Sequence, residues 1–183
     1  MFRNRIVFVL TLLGSALFNA AAVAESADPP DAAALQQSVE QLRSAAGRWN
    51  VITRFLKADG SVQGEVPGSY EFDWVVADRV MIGRSELPEL DSASAILFYI
   101  REASREIEMV SVGQDGKLWV MTGPLGGETR YSQEYQAADG SSAQLRFTRF
   151  NIKPDSFESR MEYSSDGGKT WVQGNHQLFT RAQ

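Results

Sequence analysis

The side chains that usually carry out chemistry are scarce in this chain: it has one histidine, His176, and no cysteine. Thiolate catalysis and cysteine-based zinc sites are therefore excluded, and a Ser-His-Asp triad would depend on His176 alone. No Gly-x-Ser-x-Gly elbow, phosphate-binding loop, dinucleotide fingerprint or His-Glu-x-x-His occurs. No catalytic residue and no metal-ligand set is assigned on this basis. A neutral imidazole facing an apolar pocket can still bind haem iron, which makes His176 the candidate cofactor-binding residue. Strand phase bears on that role. His176 alternates with Val172, Gly174, Leu178 and Thr180, whereas Trp171, Gln173, Asn175, Gln177, Phe179 and Arg181 occupy the other phase. If Arg181 faces inward, His176 faces outward unless Gly174 marks a bulge.

The acid pairs Glu71/Asp73, Glu106/Glu108 and Glu158/Glu162 lie at strand spacing. Residues i and i+2 of a strand are about 7 Å apart, within the separation that glycoside hydrolysis asks of two carboxylates. Spacing alone does not select them, and Arg160 between Glu158 and Glu162 fits a solvated face with cross-strand ion pairs. Large rings are the richer signal. Tyr70, Phe72 or Trp74, Phe98 or Tyr99, Trp119, Tyr131, Phe147, Phe157 and Tyr163 recur from one segment to the next, enough to line a pocket as well as fill a core. Trp74, Trp119, Tyr131 and Arg149 are the candidate ligand-binding residues, and Arg54, Arg84, Arg101 and Arg130 are further possible polar anchors.

The elements that must hold these residues follow from periodicity. Residues 1–24 have the layout of a secretory signal: Arg3 and Arg5, an apolar run from Ile6 to Leu13, then Ala22-Val23-Ala24 before the expected cleavage. The apolar run is shorter than the ~20 residues of a membrane span. A periplasmic or secreted protein with no transmembrane segment after cleavage is expected. Losing Arg3 and Arg5 moves the formal charge from −5 to −7, which disfavours a nucleic-acid partner. Without cysteine, an exported fold must rest on its core alone.

Residues 25–30 form a polar leader, and 31–183 are expected to be a single domain. Asp31 is placed as an N-cap, and Leu35, Val39 and Leu42 recur at helical spacing up to Gly47. From Trp49 onward the period becomes two, and ten strands are predicted at 48–57, 69–77, 79–87, 95–102, 106–113, 117–122, 128–135, 143–152, 156–164 and 170–181. Short links carrying turn residues make the neighbours antiparallel. Closing such a meander removes its two exposed edges, so the expected fold is an all-β, antiparallel up-and-down barrel preceded by one short helix. The segments 85–95 and 122–128 are read first as connectors, with a mouth or lid as the alternative.

Gly47-Arg48-Trp49, with Arg181 near the end of the last strand, resembles the G-x-W motif of lipocalins and related calycin barrels. The resemblance implies that Trp49 packs across the closed base with Arg181 against its ring, a cation–π contact of about 0.5 to 2 kcal/mol. The layout also resembles exported bacterial proteins of the domain-of-unknown-function kind and, more distantly, nitrobindins and fatty-acid-binding proteins. The nitrobindin likeness is what a haem on His176 would follow. No fatty-acid carboxylate clamp can be placed, and the later lipocalin motifs are absent.

The stretch Ser-Ser-Asp-Gly-Gly-Lys-Thr-Trp at 164–171 resembles the Asp-box hairpin of sialidase propellers. A propeller needs several such hairpins and several blades, so the single copy reads as a turn in which Asp166 binds its own backbone, Gly167 and Gly168 permit positive φ, and Trp171 anchors the returning strand. The function expected from the whole is an exported barrel that binds a small apolar or amphipathic ligand. The alternatives are a haem protein using His176 and a structural or interaction protein with a filled barrel.

Overall fold

The computed structural model describes residues 32–136 and 140–183. The leader segments and Asp31 lie outside the described residues. Helix α1 spans Ala32–Ala45 and is followed by β1 (Gly47–Leu56), β2 (Val62–Val76), β3 (Val80–Leu87), β4 (Ser92–Arg101), β5 (Glu106–Gly113) and β6 (Leu118–Pro124). After them come β7 (Thr129–Ser132), the two-residue β8 (Tyr135–Gln136), β9 (Ser142–Lys153), β10 (Ser156–Ser164) and β11 (Val172–Arg181).

Every strand pairing is antiparallel, β11 returns to pair with β1, and β9 with β10 completes the ring. β8 hangs on β9 alone. The result is the closed ten-strand barrel that the alternation predicts, and it fits a calycin-like fold. Closure leaves the ring without a free edge, which is the physical reason for a meander of this length to curl up.

Because each hairpin reverses direction, connections alternate between the two ends. The junction of α1 with β1 and the turns at 77–79, 102–105, 125–128 and 154–155 lie at one end, the base; the turns at 57–61, 88–91, 114–117 and 165–171 lie at the other, the mouth. The segments 85–95 and 122–128 therefore sit at opposite ends and do not form a common lid. β3 also runs to Leu87 and β4 starts at Ser92, so only a single 3-10 turn, Pro88–Leu90, remains of the long loop expected there.

Two other boundaries differ from expectation. β2 begins at Val62, because Gly64, Pro67 and Gly68 have punctuating residue types and yet are carried within the ladder to β1. The seventh expected strand, 128–135, is broken after Ser132 into β7 and β8.

The helix plugs the base. Val39 and Leu42 are buried from its inner face, while Ser38 Oγ accepts a hydrogen bond from Gly126 N–H (2.8 Å) and Gln41 Nε2 donates to Gly126 O (2.9 Å). Arg43 holds Asp78 with two hydrogen bonds, Nε to Oδ1 at 3.0 Å and Nη2 to Oδ2 at 2.7 Å. Beneath the helix lie Trp49, Phe157 and Phe179. The Trp49 and Phe157 rings meet edge to face at 4.8 Å, and Phe157 stacks on Phe179 at 4.2 Å. Such pairs add about 0.5 to 1.5 kcal/mol each beyond the area they bury.

Candidate ligand-binding site

The inner faces of the strands do not meet. They enclose a cavity of about 390 Å³ that side chains leave open, in the size range of small-molecule pockets. Alternation assigns its lining. Thr53 and Phe55 follow Trp49 and Val51 inward from β1, and Tyr70 and Phe72 do so from β2. Leu42 and Gln41 form its floor, and Phe55, Leu87, Ser111 and Trp119 stand toward the mouth.

Two groups of polar side chains interrupt this apolar wall. The first follows the register across four strands, where Arg149 pairs with Ser159, Ser159 with Gln177 and Gln177 with Thr53. Within it Gln177 Nε2 donates to Thr53 Oγ1 (3.0 Å) and to the Tyr70 hydroxyl (3.1 Å), and Ser159 Oγ donates to Gln177 Oε1 (3.2 Å). The buried Gln177 amide is thereby bonded at both its nitrogen and its oxygen. Burial pushes the Tyr70 phenol above its ordinary value, against the hydrogen bonds from Gln177 and Ser85.

The second group is charged. Arg149 donates from Nε and Nη2 to the two oxygens of Glu128, both at 2.9 Å. Arg130, two residues along the chain from Glu128 and opposite Phe147, is only 3% exposed and its Nε finds no acceptor among the described residues. Its guanidinium lies 5.5 Å from the centroid of the Phe98 ring. Burial pulls its pKa down to about 10, with Glu128 opposing and Arg149 reinforcing the shift. It is still a cation at neutral pH. Oε1 of Gln41, on the floor, is also buried without a partner among the described residues.

Of the candidate ligand-binding residues, Trp119 and Arg149 line the cavity. Trp74 packs against the core toward the base and is not part of the lining, and Tyr131 is on the outer face, 40% exposed, with its ring against Trp171. Among the possible arginine anchors the barrel separates inside from outside. Arg54 pairs with Glu65, Arg84 with Glu86, and Arg101 with Glu106 and Glu108, all outside the lining, whereas Arg130 and Arg149 point in.

His176 faces away from the cavity. Its Nε2 meets Glu158 Oε2 at 2.7 Å, and its ring stacks on Phe150. Gly174 does mark a bulge, since Met161 pairs with Asn175 but Glu162 with Gln173. The extra residue precedes His176, so it re-phases only the start of β11. Glu158 is held below the ordinary carboxylate range by hydrogen bonds, first from Asn151 and then from His176. Three other acids of the sequence pairs are also engaged outside the lumen: Glu71 with Arg48 (2.7 Å), Glu108 with Tyr99 and Arg101, and Glu162 with Arg146 (2.8 Å).

The base carries the Trp49–Arg181 contact, with the guanidinium carbon 3.8 Å from the ring centroid. Arg181 also donates to the carbonyls of Ala46 and Ser44, and Trp49 Nε1 donates to Ala45 O (2.8 Å). Gly47 has φ +102°, a conformation that favours glycine, and a Cβ there would come within 2.8 Å of Arg181 Nη1 and displace it.

At the mouth, Asp166 organises the 164–171 hairpin. Its Oδ1 accepts from Lys169 N–H (3.0 Å) and Thr170 N–H (2.9 Å), and its Oδ2 from Thr170 Oγ1 (2.6 Å). Those bonds, Thr170's first, hold its carboxyl well below the usual range. Gly168 has φ +80° and accepts the Trp171 indole N–H (3.0 Å), and Arg146 lies over the Trp171 ring at 4.3 Å.

The functional residues that the sequence did not single out are Glu128, Thr53, Gln177 and Gln41. Phase with Trp49 could have pointed to Thr53, and phase with Arg181 to Gln177. Glu128 precedes its strand and carried no such signal.

No protein-family model matches the chain, and no curated protein matches it in sequence. Among solved structures, the crystal structure of Rv2717c from M. tuberculosis is similar with a TM-score of 0.55 and 11% identity, over 80% of this chain and 98% of that one. The S-type phycobiliprotein lyase CPES from Guillardia theta aligns with a TM-score of 0.49 and 12% identity, over 82% of this chain and 96% of that one. At such identity the first likeness speaks to the fold alone. The second, looser still, adds nothing to it.

Proposed function

We propose that this protein is an exported carrier or sensor that holds one small apolar or amphipathic molecule in its lumen. The observation that supports it is the cavity of about 390 Å³, walled by Phe55, Leu87, Ile96, Met109 and Trp119 and closed below by Leu42. Open apolar volume forgoes contacts that filled interiors make, so a barrel meant only as a scaffold gains by packing it. Here the inward rings stand apart around a space of ligand size. The sequence of residues 1–24 favours export to the periplasm or beyond.

The test is titration with N-phenyl-1-naphthylamine, a neutral dye that brightens in apolar surroundings. Saturable binding of one dye per chain, lost in Ser111→Trp, which places an indole at the mouth, is the expected result. Absence of saturable binding, or binding unaffected by Ser111→Trp, overturns the reading.

A further inference from the structure

We infer that the preferred ligand is a monoanionic amphiphile, with its acidic head on Arg130 near the base and its apolar chain directed to the mouth. The inference rests on the barrel being a small-molecule carrier and adds the chemical class of the cargo. Arg130 and Arg149 bring two cations to the lumen wall, and Glu128, outside the lining, brings one anion to Arg149. Arg149 binds both oxygens of Glu128, and Arg130 feels that carboxylate only at longer range, making no hydrogen bond or ion pair of its own among the described residues.

A guanidinium cannot escape by deprotonating at physiological pH, and burying a charge without a partner is costly. Natural chains seldom keep such a group unless something completes it. A carboxylate or similar head group offers the planar acceptors that the guanidinium fork matches. An inorganic anion would satisfy the charge but leave the space beside Phe55, Leu87, Met109 and Trp119 empty, and a neutral lipid would fill the space but leave Arg130 unpaired. One molecule with an anionic head and an apolar tail does both. The Gln177 amide and the Ser159 hydroxyl proton do not compete for the head, because they are already engaged within the wall.

The experiment is displacement of N-phenyl-1-naphthylamine by dodecanoate, dodecanol and dodecyltrimethylammonium, in the native protein and in Arg130→Met and Arg130→Lys. Dodecanoate should bind about tenfold to a hundredfold more tightly than dodecanol, as a charge-assisted hydrogen bond implies, and the cationic chain should bind worst. Arg130→Met should remove the difference between acid and alcohol, and Arg130→Lys should keep part of it. The comparison of ligands in the native protein stands even if Arg130→Met does not fold. Equal affinity for acid and alcohol, or a preference that survives Arg130→Met, overturns the inference while leaving the carrier reading in place. If the dye binds nowhere, both fall.

Discussion

Arg149 and Glu128 meet in a two-pronged ion pair, each nitrogen 2.9 Å from its oxygen, while Arg130 feels the same carboxylate without bonding to it. The polarity of the lumen follows from this contact. Arg149 is a finished part of the wall, whereas Arg130 is an open valence in it.

An open valence should cost stability when nothing is bound. Arg130→Met replaces a buried cation that has no hydrogen-bond partner among the described residues by a flexible apolar side chain of similar reach, and ligand-free protein is expected to gain about 1 to 3 kcal/mol. Urea unfolding of delipidated protein measures it. A loss of stability would mean that Arg130 is compensated in the ligand-free state.

Glu128→Gln should act in the opposite way. It releases Arg149, which is only 7% exposed, and leaves two unpaired guanidinium groups together. Glu128 itself is about a quarter exposed, so solvent softens the cost, and a loss of roughly 1 to 3 kcal/mol is expected. Added dodecanoate should restore more thermal stability to this variant than to the native protein, because two cations then await an anion.

Arg181→Ala removes both the contact with the Trp49 ring and the hydrogen bonds to Ala46 and Ser44 that join the last strand to the helix junction. About 2 to 4 kcal/mol should be lost. Near-ultraviolet circular dichroism of Trp49 should flatten with it, and Arg181→Lys should recover part of both signals.

The Asp166 carboxyl titrates lower in the folded hairpin than in an unfolded chain. The unfolded state therefore binds more protons as pH falls below about 4, so Asp166 contributes stability that is present above that pH and lost below it. Asp166→Asn should reduce stability at neutral pH and flatten the decline in acid. Chemical unfolding from pH 7 down to pH 2 checks both; an unchanged acid slope would contradict this account of the hairpin.

Much of the barrel was legible because alternation is a direct imprint of burial. Trp49, Val51 and Thr53 share a phase and share the interior, and the short turn-bearing links left little topology to choose. What escaped were features decided by tertiary context. Gly64, Pro67 and Gly68 look like punctuation until β1 is beside them, and hairpin alternation separates 85–95 from 122–128. Trp74 and Tyr131 are aromatic residues like Trp119, but strand position sends one to the base and the other to the outer face. The charge balance of the lumen was hidden for the same reason. Arg130 is one of many arginines in the sequence, and only the register that brings Glu128 to Arg149 shows which cation is left over.

The most direct measurement is a crystal structure of the protein with 12-bromododecanoate, read from the anomalous signal of bromine. The account predicts one bromine peak inside the barrel between Phe55 and Trp119, with the carboxylate within about 3 Å of the Arg130 guanidinium. Bromine found only on the outer surface, around a lumen holding water alone, would contradict it.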